Sequence, residues 1–267
     1  MRYPAAHGFY PFQKDELTRT IDKMLSGNVE KIKNPLGAIV PHAGYVFSGS
    51  AAAKTLKAAK SDKKTFFVLG LSHRGHETSL SSQDWETPLG DVKVNKKIIE
   101  KLDIEINERA HSSEHSLEVI IPFLQTMYKD FDIVPLALGH EKFENLEKMA
   151  DSFPEDVFYI ASTDFIHYGP MYGYTPKKGS VQDQLKWAKK RNLELIDMIC
   201  SLKAREFYDS VIKNNYTVCG FIPVTLMILT MKKLGAKGAK LIEYTTSYEV
   251  SRSSSFVCYA GLVFYWA

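Results

Sequence analysis

The chain has 267 residues, of which 45% are hydrophobic and 24% charged, and its formal net charge is +3. This is the composition of an ordinary folded protein within reach of one α/β domain, not of a disordered or fibrous chain. The charge is weak and scattered, which gives no basis for a nucleic-acid surface, and no apolar run reaches the roughly 18 residues that cross a bilayer.

The N-terminal stretch MRYPAAHGFYPFQKDEL lacks the basic-then-apolar layout of a signal peptide. Apolar runs then alternate with helical patterns. Gly37–Val40 reads as a buried strand, and 48–60 as a helix capped by Ser48 or Ser50. Thr65–Leu71 is a second buried strand. DWETPLGDVKV at 84–94 reads as two short strands around a turn with Pro88 and Gly90. Helices are expected at 95–102 and 114–128, the second capped by Ser112 or Ser113. Ile133–Leu138 and Val157–Ala161 read as strands separated by a helix near 143–153. Helices follow at 182–201 and 203–213, and Gly220–Leu234 is apolar nearly all round, hence a buried helix. Lys240–Tyr248 and Phe256–Trp266 close the chain as strands, the last covered on both faces. This alternation predicts a single α/β domain over 1–267, with a mostly parallel or mixed central sheet and helices on both faces. The segment 169–180, rich in Gly, Pro and Tyr, is expected as a loop near the site.

Three strand-like runs end on residues that bind metals or carry out catalysis. LGAIVPH stops at His42, TFFVLGLSH at His73, and VFYIASTDFIH carries Asp164 and His167. Open α/β sheets gather ligands at the carboxyl ends of their strands, so these runs predict one imidazole-rich site. Alone, each histidine is more often a hydrogen-bonded strand-end residue than a ligand. Asp164 and His167, three apart just beyond a strand, form an acid/base or ligand pair, with the Tyr168 hydroxyl nearby. Glu114, His115 and Glu118 read either as a capped helix start or as carboxylates that orient a ligand imidazole. The roles of His7, His76, His115 and Glu118 stay open. Cys219 precedes the buried helix, where the macrodipole is expected to lower its pKa. Cys200 and Cys258 are expected to be buried and inert. Three cysteines at irregular spacing argue against a disulfide framework and for a reducing cytoplasm. Two imidazoles with a thiolate, or with Asp164, suit iron, copper or zinc.

The pieces RYPAAHGFYP at 2–11, PHAGYVFSG at 41–49, LGLSH at 69–73, EHSLEVIIPFL at 114–124, STDFIHYG at 162–169, CG at 219–220 and YAG at 259–261 together resemble the Memo family, the "AmmeMemoRadiSam system protein B" group. The resemblance spans nearly the whole chain. Departures are AAHGFYP, where alanine-glycine-x-Phe-Tyr-Pro is more usual, and GFIP after Cys219, where Arg-His often follows the glycine. The family is similar in fold to class III extradiol dioxygenases and carries a metal pocket. The resemblance therefore implies His42, His73 and Cys219 as ligands of iron or copper, with Cys219 where the dioxygenases use a glutamate. It places His167 and Asp164 as the catalytic pair in the same pocket.

Three readings compete. One is a metal-dependent redox enzyme acting on a small molecule. The second is a non-catalytic module that binds a peptide or phosphorylated ligand in the same cleft. The third is a scaffold for a modification system with a radical-SAM partner. Neither nucleic acid nor a membrane is expected as a partner. The enzyme reading leads, because a peptide cleft has no evident need for a thiol beside paired imidazoles.

Overall fold

A computed structural model describes residues 1–266. Its ten strands are β1 (Pro35–Val40), β2 (Thr65–Leu71), β3 (Ser79–Leu80), β4 (Trp85–Thr87), β5 (Gly90–Val94), β6 (Asp132–Leu138), β7 (Phe158–Ser162), β8 (His167–Tyr168), β9 (Gly238–Thr246) and β10 (Phe256–Tyr265). The ten α-helices are α1 (Lys14–Leu25), α2 (Ser50–Ala58), α3 (Lys96–Ile99), α4 (Glu108–His111), α5 (His115–Glu118), α6 (Ile121–Met127), α7 (Phe143–Ser152), α8 (Val181–Cys200), α9 (Ala204–Lys213) and α10 (Phe221–Lys233).

The strands form one mixed sheet in the order β4-β5-β6-β2-β7-β1-β10-β8, with β3 against β6 and β9 against β10. β5, β6, β2, β7 and β1 run parallel. β10 is antiparallel to β1, β8 and β9. The central strands are unbroken apolar runs because helices cover both of their faces. One helical group, α1, α2, α5 and α6, packs on β1, β2, β9 and β10. The other, α7 to α10, packs through α10 on β1, β2 and β7 and through α8 on β9 and β10. The expected burial of the last strand holds: only Tyr265 of β10 is not buried. α10 is likewise buried along most of its length.

Several local expectations differ from the structure. α1 lies outside the expected elements, although Leu17 and Ile21, its buried pair, stand at i and i+4. α4 and the two-residue β3 and β8 are further additions. The helix expected over 114–128 is broken into α5 and α6. Pro122, in the first turn of α6, cannot donate a backbone hydrogen bond and disfavours continuation from the preceding turn. The caps differ too. A π-helical turn at Tyr45–Gly49 leads directly into α2, with no side-chain cap from Ser48 or Ser50. Glu114, not Ser112 or Ser113, caps α5 by accepting from the Ser116 amide at 2.8 Å. Among the described residues no helix is long and apolar enough to cross a membrane.

Candidate metal centre

Three adjacent parallel strands deliver the expected residues. β1 ends two residues before His42, β2 two before His73, and β7 two before Asp164. Because β7 lies between β1 and β2, their carboxyl ends sit side by side. A cavity of about 470 Å³ opens there. Its walls include His42, His73, His115, Asp164 and His167, with Phe9, Phe47, Met171, Tyr172 and Tyr259, and with the hydroxyl-bearing Ser247, Ser251, Ser253 and Ser255. Met171 and Tyr172 come from the 169–180 loop, as expected.

Three of these imidazoles, His42, His73 and His167, are each held through Nδ1. His42 Nδ1 lies 2.6 Å from Ser162 Oγ, and its Nε2 lies 3.3 Å from Cys219 Sγ. His73 Nδ1 donates to Glu114 Oε1 at 2.8 Å, and the His73 amide donates to Glu114 Oε2 at 2.8 Å. The carboxylate thus orients the ring, one of the two roles open to this segment. His167 Nδ1 donates to the Thr217 carbonyl at 2.9 Å, which makes Nε2 the nitrogen with the free lone pair. Asp164 Oδ1 accepts from the His42 amide at 3.0 Å. The partner that holds the His167 ring is thus Thr217, while Asp164 is engaged by the His42 backbone.

Two glycines permit this crowding. A Cβ on Gly70 would lie 2.5 Å from Ser116 Oγ and 2.7 Å from Leu117 Cγ, so its absence lets α5 close on β2. That approach brings His115 beside His73, the rings stacked 4.2 Å apart. A Cβ on Gly220 would lie 2.5 Å from the Ser162 carbonyl, so glycine there lets the segment carrying Cys219 approach the end of β7.

Burial, then the neighbouring His73, push the His42 pKa down to about 3. Burial, then His42 and His73, bring His115 to about 4. Both rings are therefore neutral near pH 7, the form that ligates metals. Burial alone would raise Glu114, but the hydrogen bond and charge of His73 and two backbone amides hold it at about 2. Burial raises Asp164 against the opposing effects of His167 and the His42 and Ala43 amides.

The expected lowering of the Cys219 pKa is not found. Burial and the charge of Asp164 push the thiol well up, outweighing hydrogen bonds from the Asp164 and Gly220 amides and Thr163. The macrodipole does not compensate for that desolvation. Cys258 is buried as expected and pushed up to about 12, whereas Cys200 is only half-buried and pushed up to about 11.

Among the described residues two groups bring ligand atoms within 4.8 Å of one another: His42 with His73 and His115, and His42 with Asp164 and Cys219. His42 belongs to both, so His73 and Cys219 are each within reach of it. His115 is the member whose role the sequence leaves open. Glu118 acts at a distance: it pairs with buried Arg2 and accepts from the Tyr10 hydroxyl and the amides of Ala5 and Ala6. This ties down residues 2–10, which seat Phe9 4.2 Å from the His115 ring. His7 stacks on Phe12, and the His76 amide donates to Ser72 Oγ at 2.9 Å.

The arrangement has relatives. The family model described as "Memo-like protein" matches residues 2–263. The chain belongs to the Memo-like family. A MEMO1 family protein of Thermococcus onnurineus is 37% identical, with 99% of each chain covered. Another Memo relative, from Methanosarcina barkeri, is 34% identical over 98% of this chain and 99% of its own. A solved structure of the uncharacterized protein JW3007 from Escherichia coli K12 has a TM-score of 0.48 and 14% identity, covering 86% of this chain and 99% of that one. That likeness is too loose to carry a conclusion. The Memo signature pieces read from the sequence map onto the cavity wall, the loop that seats Phe9, and the glycines that permit close approach.

Proposed function

We propose that this Memo-like chain binds one iron or copper ion at the floor of the cavity and acts as a metal-dependent redox enzyme on a small molecule. His42, His73 and Cys219 hold the ion in this reading. The observation that carries it is that His42, fixed through Nδ1 and neutral near pH 7, has both His73 and the Cys219 thiol within reach. A donor set of imidazole and sulfur fits soft to borderline ions and not magnesium or calcium. The metal, when bound, supplies one-electron exchange.

The chain's own residues do the rest. His167 Nε2 takes or returns a proton of a molecule in the cavity, its ring held for that purpose by Thr217. Asp164 keeps the His42 backbone in place and adds an oxygen donor beside it. Phe9, Phe47 and Tyr172 exclude water from the apolar side of the bound molecule. A second reading, a plain binding module, is favoured by one feature. The mouth presents four serines with exposed Met171 and Tyr172, a surface that also suits a peptide or another polar ligand.

The test is metal content of protein purified without a metal-binding tag, followed by anaerobic iron(II) and copper(I) titrations. One equivalent of either ion, lost in His42→Ala, is expected. His167→Ala is expected to keep the metal and lose turnover. Absence of tight binding by the unaltered protein would overturn the metal reading and leave the binding module.

A further inference from the structure

We infer that one wall of the cavity, built by Ser253, Ser255 and Tyr259, is a carboxylate-binding subsite, so that the small molecule taken up here is a carboxylic acid. The inference rests on the reading of the cavity as a small-molecule site and does not depend on the metal.

The wall comes from the segment between β9 and β10 and from β10 itself. Three serine oxygens there are each engaged as acceptors by a backbone amide. Ser247 Oγ accepts from Val257 at 3.0 Å, Ser253 Oγ from Ser255 at 3.1 Å, and Ser255 Oγ from Met171 at 3.2 Å. A hydroxyl whose oxygen accepts from the backbone still has its own proton to give. Ser247 bonds the Tyr259 phenol, whereas among the described residues no protein acceptor takes the proton of Ser253, Ser255 or Tyr259. Burial pushes the Tyr259 phenol well above its ordinary range, so it keeps that proton at neutral pH. Three donors therefore line one side of the cavity.

Their number identifies the acceptor. Three donors exceed the two lone pairs of a neutral carbonyl and fit the roughly four of a carboxylate. A phosphate ester, close to a dianion, calls for a cation. Among the described residues no lysine or arginine lines the cavity, and Asp164 adds an acid to it. The backbone is shaped to hold these donors in place. Gly169, at φ +119°, lets the 169–180 loop clasp Ser255, because a Cβ there would lie 2.4 Å from Ser255 Cα. The same loop sets Tyr172, whose ring centre is 5.1 Å from that of His167. His167 pairs with Val257 of β10, and β7 and β1 stand between β10 and β2. The donors thus lie on the His167 side of the cavity and His73 on the other. A molecule anchored by its carboxylate at this wall extends past His167 toward His42 and His73.

Amide NMR of the metal-free full chain, titrated with hexanoate, hexanamide and hexyl phosphate, tests the inference. Hexanoate is expected to give saturable shifts at the Ser253, Ser255 and Val257 amides and to bind at least about tenfold more tightly than hexanamide. Ser253→Ala, at an exposed position, and Tyr259→Phe, checked for folding by circular dichroism, are each expected to weaken hexanoate about fivefold or more and hexanamide less. Hexanamide binding as well as hexanoate, hexyl phosphate binding more tightly, hexanoate affinity unchanged in either variant, or no saturable shift at millimolar hexanoate would each overturn the inference. Because these titrations contain no metal, their failure leaves the iron or copper reading standing, and failure of the metal titrations leaves this one standing.

Discussion

At the scale of single residues, desolvation decides the protonation of His42, His115 and Cys219. The Cys219 thiol is protonated near neutral pH because burial and Asp164 raise its pKa. Copper(I) that binds through sulfur must expel that proton. Affinity should therefore climb about tenfold for each pH unit between roughly 6 and 8. Cys219→Ser should remove the slope. Competition with a chromophoric copper(I) chelator at several pH values reads it, and a flat profile for the unaltered protein would strike Cys219 from the ligands. The imidazoles link protonation to folding instead of to metal binding. His42 and His115 titrate at about 3 and about 4 when folded, below the ordinary 6.5. The unfolded chain takes up their protons as pH falls through 6.5, and the folded chain does not. Stability is then complete above 6.5 and is lost progressively toward pH 3–4. Urea unfolding of the metal-free protein should show about 2–4 kcal/mol less stability at pH 5 than at pH 7, with the two histidines shielding each other from the full sum. Equal stability at the two values would mean that the rings are already charged or open to water.

At the scale of elements, the site depends on how closely α5 sits on β2. Gly70 permits that approach, since a Cβ there would meet both Ser116 and Leu117 of the helix. Gly70→Ala should force α5 outward at a cost of about 1–3 kcal/mol in stability. It should also displace Glu114 from His73 and weaken iron(II) binding, because the carboxylate holds His73 through both its Nδ1 and its backbone amide. Thermal unfolding and anaerobic iron(II) titration on the same variant check the two effects, and a loss of stability with iron(II) affinity unchanged would detach the helix from the site. The break between α5 and α6 belongs to this scale as well. Apolar periodicity runs through 114–128 without interruption, and only the backbone chemistry of Pro122 divides it.

At the scale of the whole molecule, the N-terminal stretch is stapled to the body by a buried ion pair more than a hundred residues apart in sequence. Arg2 bonds Glu118 and the carbonyls of His111 and Glu114, and its guanidinium lies 4.3 Å from the Trp85 ring centre. Glu118→Gln leaves the arginine buried without its counter-charge and should cost about 3–5 kcal/mol. Denaturant unfolding measures it, and a loss under about 1 kcal/mol would mean that the stretch is held by packing alone. Release of residues 2–10 would also remove Phe9 from the cavity wall, so hydrogen exchange at those amides should rise in the same variant.

Much is legible in the sequence because its signals are local. A buried strand is an unbroken apolar run, so β1, β2, β6, β7 and β10 are readable, and with them the alternation that makes an α/β sheet. Residues just past such runs lie at carboxyl ends, so the pattern alone marks His42, His73, Asp164 and His167 as one site, and all four line one cavity. Other features depend on which distant segments meet. His115 becomes a neighbour of His73 only because α5 closes on β2, and Glu118 is an anchor only because Arg2 and Tyr10 fold back onto it. The thiol's proton shows the limit most plainly. Sequence places Cys219 before a helix and predicts a lowered pKa. Burial beside Asp164 raises it instead, because desolvation is set by everything packed around a group and not by its neighbours along the chain.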